Sequence, residues 1–216
     1  MSIAFFDFDG TLLTRESGVI CAVPCIRRGL LGPSIGARLI GTYALSKLGL
    51  RTRTDAQRVG FECYGGKTLD ELRAIMAALH EKHMRSFVSG PVGERVAAHR
   101  AAGDRLVVLT ASAFFFAEPL CAELGIDELV GTQVGFVDGR CNGLVDGSIL
   151  DGAAKLAAAA RCAETAGVSL EACSFYTDHI ADLPLLEAVG KPIVVGDSRV
   201  LVRVARERGW QMLGHT

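Results

Sequence analysis

Residues 3–11 read Ile-Ala-Phe-Phe-Asp-Phe-Asp-Gly-Thr, a short apolar run that ends abruptly in two aspartates. An apolar run of this length is typical of a strand that is buried on both faces, as in a parallel sheet. Residues two apart on a strand face the same side, so the carboxylates of Asp7 and Asp9 can converge where the chain leaves the sheet. The alternative for this fragment is a solvated strand end with an ordinary Asp-Gly turn.

The same kind of apolar run recurs later in the chain, at 105–109, 173–176 and 192–195. Stretches with helical periodicity lie between and after these runs, at 92–102, 114–124, 152–166, 183–189 and 199–208. Strands that alternate with helices predict an α/β fold with a doubly wound parallel sheet. In such sheets ligands bind beyond the carboxyl ends of the strands, which is where Asp7 and Asp9 lie.

Two segments depart from this alternation. Residues 15–87 show only helical periodicity, whereas residues 132–147 are rich in glycine and valine and contain Asp138-Gly139, a hairpin turn signal. We therefore predict a helical cap domain at 15–87, inserted after the first strand, and a small β-flap at 132–147. The remaining residues, 1–14 and 88–216, are predicted to form the α/β catalytic core.

A second acidic pair, Asp178 and Asp182, follows the apolar run at 173–176. Parallel strands end at a common edge of a sheet, so these acids should reach the edge that carries Asp7. Three or four carboxylates meeting there would form a hard-oxygen site suited to Mg²⁺. The alternative is that Asp178 or Asp182 caps the N-terminus of a helix.

Two further candidates lie beside predicted helices. Thr110 ends the apolar run at 105–109, and we expect the chain to enter a helix directly after it. A hydroxyl and free amides at a helix N-terminus bind anions, although an ordinary N-cap explains Thr110 equally well. Lys155 lies near the start of the helix-like stretch that follows Asp151-Gly152, a position where a lysine is usually solvated.

Composition argues against several classes of protein. The chain has 216 residues, half of them hydrophobic and 22% charged, with a net charge of -1. The sequence has no Lys- or Arg-dense tract, which argues against nucleic-acid binding. Its most apolar stretch, 35–50, contains Arg38 and Lys47 and is shorter than the roughly 20 residues of a membrane span. Because acids follow residue 1 closely and no basic segment does, we expect no secretory signal and a cytoplasmic location.

Taken in order, four segments resemble the motifs of the haloacid dehalogenase superfamily, in particular its phosphoserine-phosphatase-like branch, which has a Rossmann-like core and a helical cap. The segments are Asp-Phe-Asp-Gly-Thr at 7–11, Leu-Thr-Ala-Ser at 109–112, Gly-Ala-Ala-Lys at 152–155 and Asp-His-Ile-Ala-Asp at 178–182. Each segment is short. Their order, their positions after apolar runs and the helical region between the first two carry a resemblance that covers nearly the whole chain.

The resemblance implies a phosphatase that works through an aspartyl-phosphate. Asp7 is then the nucleophile, and Asp9 first protonates the leaving oxygen and later activates water as a base. Asp7, Asp178 and the backbone carbonyl of Asp9 hold Mg²⁺, the implied cofactor, while Asp182 supports the metal site. Related dehalogenases lack an acid two residues after the nucleophile, so Asp9 favours phosphoryl chemistry, and Thr11 is likewise typical of phosphatases. The transferring phosphoryl group is bound by Thr110, Ala111 and Lys155.

The resemblance also bears on the substrate. Phosphoserine phosphatases carry an acid after the first motif that meets the substrate ammonium, and Glu16 is the matching acid here. His179, between the two aspartates of the fourth motif, is a second specificity candidate. However, phosphoserine phosphatases usually have a glycine pair where this chain has Ala111-Ser112, which argues against phosphoserine. Histidinol phosphate, another amino-bearing phosphomonoester, is also a candidate.

We therefore expect an enzyme that hydrolyses a small-molecule phosphomonoester. One alternative is a phosphotransferase that passes the phosphoryl group to another alcohol, which product analysis with competing alcohols would reveal. Another is a non-catalytic phosphate-ligand binding protein on the same fold. The chain retains all five residues that catalysis would need, which disfavours that reading: Asp7, Asp9, Thr110, Lys155 and Asp178.

Overall fold

The structure is a computed structural model that describes residues 2–30, 32–48, 50–51 and 53–215. Six parallel strands form its main sheet in the order β3-β2-β1-β6-β7-β8, and a separate antiparallel pair joins β4 and β5. The strands are β1 (Ile3–Phe6), β2 (Arg105–Ala113), β3 (Glu128–Thr132), β4 (Val134–Val137), β5 (Arg140–Val145), β6 (Ser174–Thr177), β7 (Lys191–Val195) and β8 (Gln211–Leu213). The predicted doubly wound parallel sheet is therefore confirmed.

Helices cover both faces of this sheet. Within the described residues, the α-helices are α1 (Ser17–Arg27), α2 (Pro33–Lys47), α3 (Arg53–Phe61), α4 (Leu69–Leu79), α5 (Gly90–Ala101), α6 (Phe114–Leu124), α7 (Gly152–Thr165), α8 (Leu183–Ala188) and α9 (Arg199–Arg208). Alternate residues of β1 point to opposite faces of the sheet. Phe6 packs in one core with α5 and α6, and Phe5 packs in the other with α7, α8 and α9.

The strand order reverses at β1. Strands β2 and β3 extend the sheet on one side of β1, whereas β6, which comes later in the chain, pairs with the other side. Phe6 lies opposite Tyr176 in this parallel pair. The carboxyl ends of β1 and β6 thus flank the crevice in which open α/β sheets bind their ligands.

The predicted flap is also confirmed. Strands β4 and β5 pair through Val137 and Arg140, and the connecting residues Asp138 and Gly139 have φ values of 50° and 74°. Positive φ at both central positions is the geometry that an Asp-Gly hairpin turn adopts readily. The flap touches the helical region, since Cys141 N donates to the carbonyl of Lys67 at 2.8 Å.

The segment 15–87 is mainly helical in its described residues, as its periodicity predicts. Its last α-helix, α4, begins with a capping box in which Thr68 and Glu71 exchange hydrogen bonds. This helix packs on α6, and Arg73 forms a bidentate ion pair with Glu118 there. The boundaries of a cap domain at 15 and 87 stay a prediction. Among the described residues, no helix combines the length and the apolar character that crossing a membrane requires.

Candidate active site

The predicted site residues meet at the reversal point of the sheet. Asp7 directly follows β1, and its backbone N–H donates to the carbonyl of Tyr176 at 2.9 Å. That hydrogen bond continues the β1–β6 pairing one residue past the strand, so Asp7 and Asp178 leave the sheet side by side. The expectation that the two acidic pairs reach one edge is therefore confirmed in the geometry.

Asp7 is buried, with 6% of its surface exposed. Its Oδ1 accepts from the amide of Phe8 at 2.8 Å and lies 3.0 Å from the Nζ of Lys155. Its Oδ2 lies 3.4 Å from the hydroxyl of Thr177. A buried carboxylate needs such partners because the interior solvates charge poorly.

Lys155 links Asp7 to Asp182. Its ammonium donates to Asp182 Oδ2 at 2.8 Å, and the same oxygen accepts from the hydroxyl of Thr177 at 2.7 Å. Lys155 is 2% exposed, so the alternative of a solvated lysine is wrong. Asp182 precedes α8 but makes no side-chain cap to it, so helix capping does not explain Asp182 either.

Electrostatics at this site favour an additional positive charge. Burial raises the pKa of Asp7 to about 7, Lys155 opposes the rise, and the carboxylates of Asp182 and Asp178 add to it. For Lys155, burial acts to lower the pKa, yet Asp7 and Asp182 outweigh it and the pKa is raised. The single ammonium thus stays charged but does not neutralise the surrounding acids.

Asp178 sits against the turn that follows Asp9. The hydroxyl of Thr11 donates to Asp178 Oδ1 at 3.2 Å, which gives Thr11 a role in orienting this acid. Gly10 has a φ of 74°, and a Cβ at this position would lie 2.2 Å from Asp178 Oδ2. Only glycine therefore allows the turn to approach Asp178 this closely.

The carboxylate of Asp9 points elsewhere. Its Oδ1 accepts from the amide of Ser17 at 2.5 Å, in the first turn of α1, and its Oδ2 accepts from the hydroxyl of Ser112 at 2.5 Å. Across the described part of the chain, no three His, Cys, Asp or Glu side chains are grouped as a metal-binding cluster. The Asp9 side chain thus joins two other elements, whereas Asp178 and Asp182 lie near enough to Asp7 to raise its pKa. A metal site formed by these acids stays a prediction.

Thr110 does not lie where the sequence suggests. Strand β2 continues through Ala113 and α6 begins only at Phe114, so Thr110 is not at a helix N-terminus. The register between β2 and β3 shifts after Thr110, and the Thr110 hydroxyl accepts from the amide of Ser112 at 3.0 Å. An irregular strand end of this kind replaces the predicted helix entry.

A cavity of about 640 Å³ opens beside these residues. Its lining includes Asp9, Ala111, Asp178 and His179, and Glu16 lines it from the start of α1. Glu16 and His179 are both half-buried. The Nδ1 of His179 accepts from the amide of Ala181 at 3.2 Å, which leaves the ring proton on Nε2.

The sequence-based prediction missed three residues that form hydrogen bonds to the acids of the site. Thr177 bridges Asp7 and Asp182, while Ser112 and the amide of Ser17 hold Asp9. Thr177 had a recognisable signal, since it is a hydroxyl residue directly before Asp178 at a strand end. Ser112 and Ser17 had none, because their role depends on how α1 and β2 approach the turn after Asp9.

Comparison with known proteins matches residues 4–187 to the haloacid dehalogenase-like hydrolases. A phosphoserine phosphatase from Mycobacterium tuberculosis is 28% identical over 223 residues, covering 97% of this chain and 69% of the relative. A histidinol-phosphatase from Neisseria meningitidis serogroup C is 26% identical over 221 residues, or 98% of each protein. The crystal structure of a protein of unknown function from Bordetella pertussis Tohama I has a TM-score of 0.89 and 28% identity, covering 100% of this chain and 99% of that one.

Proposed function

Because the chain belongs to the haloacid dehalogenase-like hydrolase family, we propose that it is a magnesium-dependent phosphomonoesterase that forms an aspartyl-phosphate on Asp7. The observation that carries the proposal is the buried Asp7–Lys155–Asp182 arrangement at the carboxyl ends of β1 and β6. An acid and a base buried together are a costly arrangement that a fold rarely needs for stability alone. The names of the two phosphatase relatives support the same activity.

In the first half-reaction, a carboxylate oxygen of Asp7 attacks phosphorus in line with the ester oxygen. The new bond from Asp7 to phosphorus forms as the bond from phosphorus to the alcohol oxygen breaks. Asp9 gives its proton to that oxygen, so a neutral alcohol leaves. Lys155, 3.0 Å from Asp7, offsets the repulsion between the carboxylate and the phosphate and stabilises charge on the equatorial oxygens. We assign binding of those oxygens also to Thr110 and to the backbone of Ala111.

In the second half-reaction, Asp9 acts as a base. It takes a proton from a water molecule whose oxygen attacks the phosphorus of the acyl phosphate. The bond between phosphorus and Asp7 then breaks, which releases inorganic phosphate and restores both carboxyl groups. Splitting the reaction in this way replaces one difficult displacement by two easier ones.

The oxygen atoms at this site fit Mg²⁺, although no group of three or more His, Cys, Asp or Glu side chains that could hold a metal is found among the described residues. Asp7 and Asp178 supply carboxylate oxygens near enough for Asp178 to raise the pKa of Asp7, and the backbone carbonyl of Asp9 would be the third protein ligand. Mg²⁺ needs only one or two carboxylates and keeps several waters. When bound, Mg²⁺ supplies positive charge to the phosphoryl oxygens. Asp182 supports this site by holding Lys155 and Thr177.

Removing the metal is expected to abolish turnover, and Ca²⁺ is expected to inhibit it. Ca²⁺ accepts more oxygen ligands in a looser geometry, which would misplace Asp7 for in-line attack. Activity should be measured after exhaustive chelation, with Mg²⁺ restored alone and then in competition with Ca²⁺. Full activity in the chelated enzyme would remove the metal from the mechanism.

The helical region 15–87 is proposed to act as a lid. The hydroxyl of Thr54, in α3, lies 3.4 Å from Asp151 Oδ2 at the start of α7, so this region touches the core beside Lys155. Residues of α1, α2 and α3 line the cavity opposite Asp178. Closure of such a lid excludes water and brings specificity groups over the reacting phosphate.

Glu16 is proposed to select an amino-bearing ester. Glu16 lines the cavity together with Asp9, and its negative charge would attract an ammonium group there. The Neisseria relative is named for histidinol phosphate, an amino-bearing ester. We propose His179 as a further specificity residue, since it lines the same cavity beside Asp178.

Glu16→Gln is expected to lower kcat/KM for phosphoethanolamine about tenfold, the size of a hydrogen bond to a charged group. Turnover of ethyl phosphate, which lacks the amine but has the same carbon chain, should barely change. Steady-state kinetics on this substrate pair separates the two effects. Equal losses on both substrates would make Glu16 a structural residue at the start of α1.

A screen of phosphorylated metabolites, with Mg²⁺ present and absent, tests the proposed function as a whole. We expect release of inorganic phosphate from at least one phosphomonoester, only in the presence of the metal. The absence of phosphate release from every ester would overturn the proposal.

A further inference from the structure

The cavity above Asp9 has an apolar body. Its volume, about 640 Å³, suits a small organic molecule rather than a bare phosphate group. Apolar side chains line it from α1, α2, α3 and α6 and from the short 3-10 helix that follows α3: Val19, Leu39, Ile40, Phe61, Tyr64 and Phe116. The alcohol part of a substrate bound through its phosphate would lie against this wall.

One side of the wall is held in place by aromatic contacts. The ring of Tyr64 packs edge-on against Phe61, with centroids 6.0 Å apart, and against Phe115, with centroids 5.0 Å apart. Phe116 lies 6.2 Å from the same ring. Mutual packing of this kind fixes the rings, so the surface they offer exists before a ligand binds.

The charges in the cavity are of one sign. Its lining includes the acids Asp9, Glu16 and Asp178, and, among the side chains that the structure describes, no Lys or Arg lines it. Arg38, on α2, is instead held in a bidentate ion pair with Glu62, at 2.6 and 2.8 Å. A carboxylate on the alcohol part would therefore lose its hydration and lie near acidic side chains. No described arginine lines the cavity to form paired hydrogen bonds with it.

The apolar wall continues to the mouth of the cavity. Val19 is 56% exposed, Ile40 68% and Tyr43 44%, and all three also line the cavity. An apolar chain that extends past the aromatic rings would cover these side chains and remove them from water. The rim thus adds binding surface beyond the enclosed part of the site.

We propose that the alcohol part of the substrate has an apolar body and carries no carboxylate, and that it binds along the Tyr64 wall and reaches Val19 and Ile40 at the rim. This inference rests on the proposed function, because it assumes that the phosphate lies at Asp7. It also narrows the amino-bearing candidates, since phosphoserine carries a carboxylate and the charge pattern disfavours it.

Two substrate comparisons test the inference on the full chain with Mg²⁺. Across ethyl, butyl and hexyl phosphate, kcat/KM should rise by up to about fourfold for each methylene that becomes buried. Phosphoethanolamine and phosphoserine differ only in the carboxylate. The kcat/KM for phosphoserine should be at least about tenfold lower, the penalty expected when a charged group is buried without a hydrogen-bond partner. A flat alkyl series, or phosphoserine as the better substrate, would overturn the proposal.

A matched pair of variants locates the effect. Val19 and Val23 lie one turn apart on α1 and are 56% and 54% exposed, but only Val19 lines the cavity. Val19→Ser should lower the ratio of kcat/KM for hexyl over ethyl phosphate about fourfold, whereas Val23→Ser should keep the parent ratio. Equal ratios in the two variants would contradict the assignment of the rim.

The outcomes separate this inference from the function on which it rests. If no phosphomonoester is hydrolysed, the phosphatase assignment fails and the substrate class fails with it. If ethyl phosphate or phosphoserine is hydrolysed but chain length and the carboxylate have no effect, the phosphatase assignment stands and only the substrate class is wrong.

Discussion

Asp7→Asn is expected to abolish turnover while leaving the fold intact. The amide has the shape of the carboxylate but is a poor nucleophile, so no acyl phosphate forms. Losses on the order of 10⁶-fold follow removal of the nucleophile in other covalent hydrolases. Brief reaction with radiolabelled substrate, followed by acid quenching and peptide mapping, should place the label on Asp7 in the parent enzyme and nowhere in the variant. A label on a serine or histidine would contradict the mechanism.

The pH dependence of the free energy of unfolding tests the burial of Asp7 independently of catalytic activity. Burial raises the pKa of Asp7 to about 7 in the metal-free protein, well above its unfolded value of about 4. The folded state therefore holds its proton more tightly, so the contribution of Asp7 to stability is complete below about pH 4 and is lost as pH rises through about 7. Denaturant unfolding of metal-free Asp7→Asn should lack this loss between the two values. Asp146→Asn, which removes an exposed acid after β5, should retain it.

The sequence predicted the centre of the sheet better than its edges. Strands β1 and β6 are short and buried throughout, and β7 is apolar and buried in its last three residues, which is the pattern that identifies parallel strands. Strand β3 contains Glu128 and Gly131 and is only partly buried, and β8 has three residues, so neither gives an apolar run. Both lie at the edges of the sheet. Pairing with a single neighbouring strand, rather than an apolar sequence, determines that these residues form strands.

The site was predictable where function depends on position along a strand. Asp7 and Asp178 follow adjacent strands, so the sheet alone brings them together. The direction of the Asp9 side chain was not predictable, because it depends on Ser17 in α1 and Ser112 in β2. The burial of Lys155 was equally hidden, since a helix position near a terminus does not reveal which neighbours cover it.

Asp9 is held in a way that makes its replacement informative. One of its oxygens accepts from the first turn of α1 and the other from the hydroxyl of Ser112. In Asp9→Asn, the amide oxygen can still accept from Ser17, and the amide N–H can donate to Ser112. The turn and its link to α1 should therefore persist, so that the variant differs from the parent mainly in having no proton to give.

For Asp9→Asn we expect kcat to fall by about 10²- to 10⁴-fold on alkyl phosphates, the usual contribution of a general acid. The loss on 4-nitrophenyl phosphate in the phosphorylation step should be far smaller, because its leaving group needs no proton. The rate of the first half-reaction, measured as a burst of nitrophenol, separates this step from the later one in which Asp9 acts as a base. Thermal unfolding of the variant controls for the α1 link. Equal losses on both esters in the first half-reaction would exclude the acid role and would leave Asp9 as the residue that joins the catalytic turn to α1.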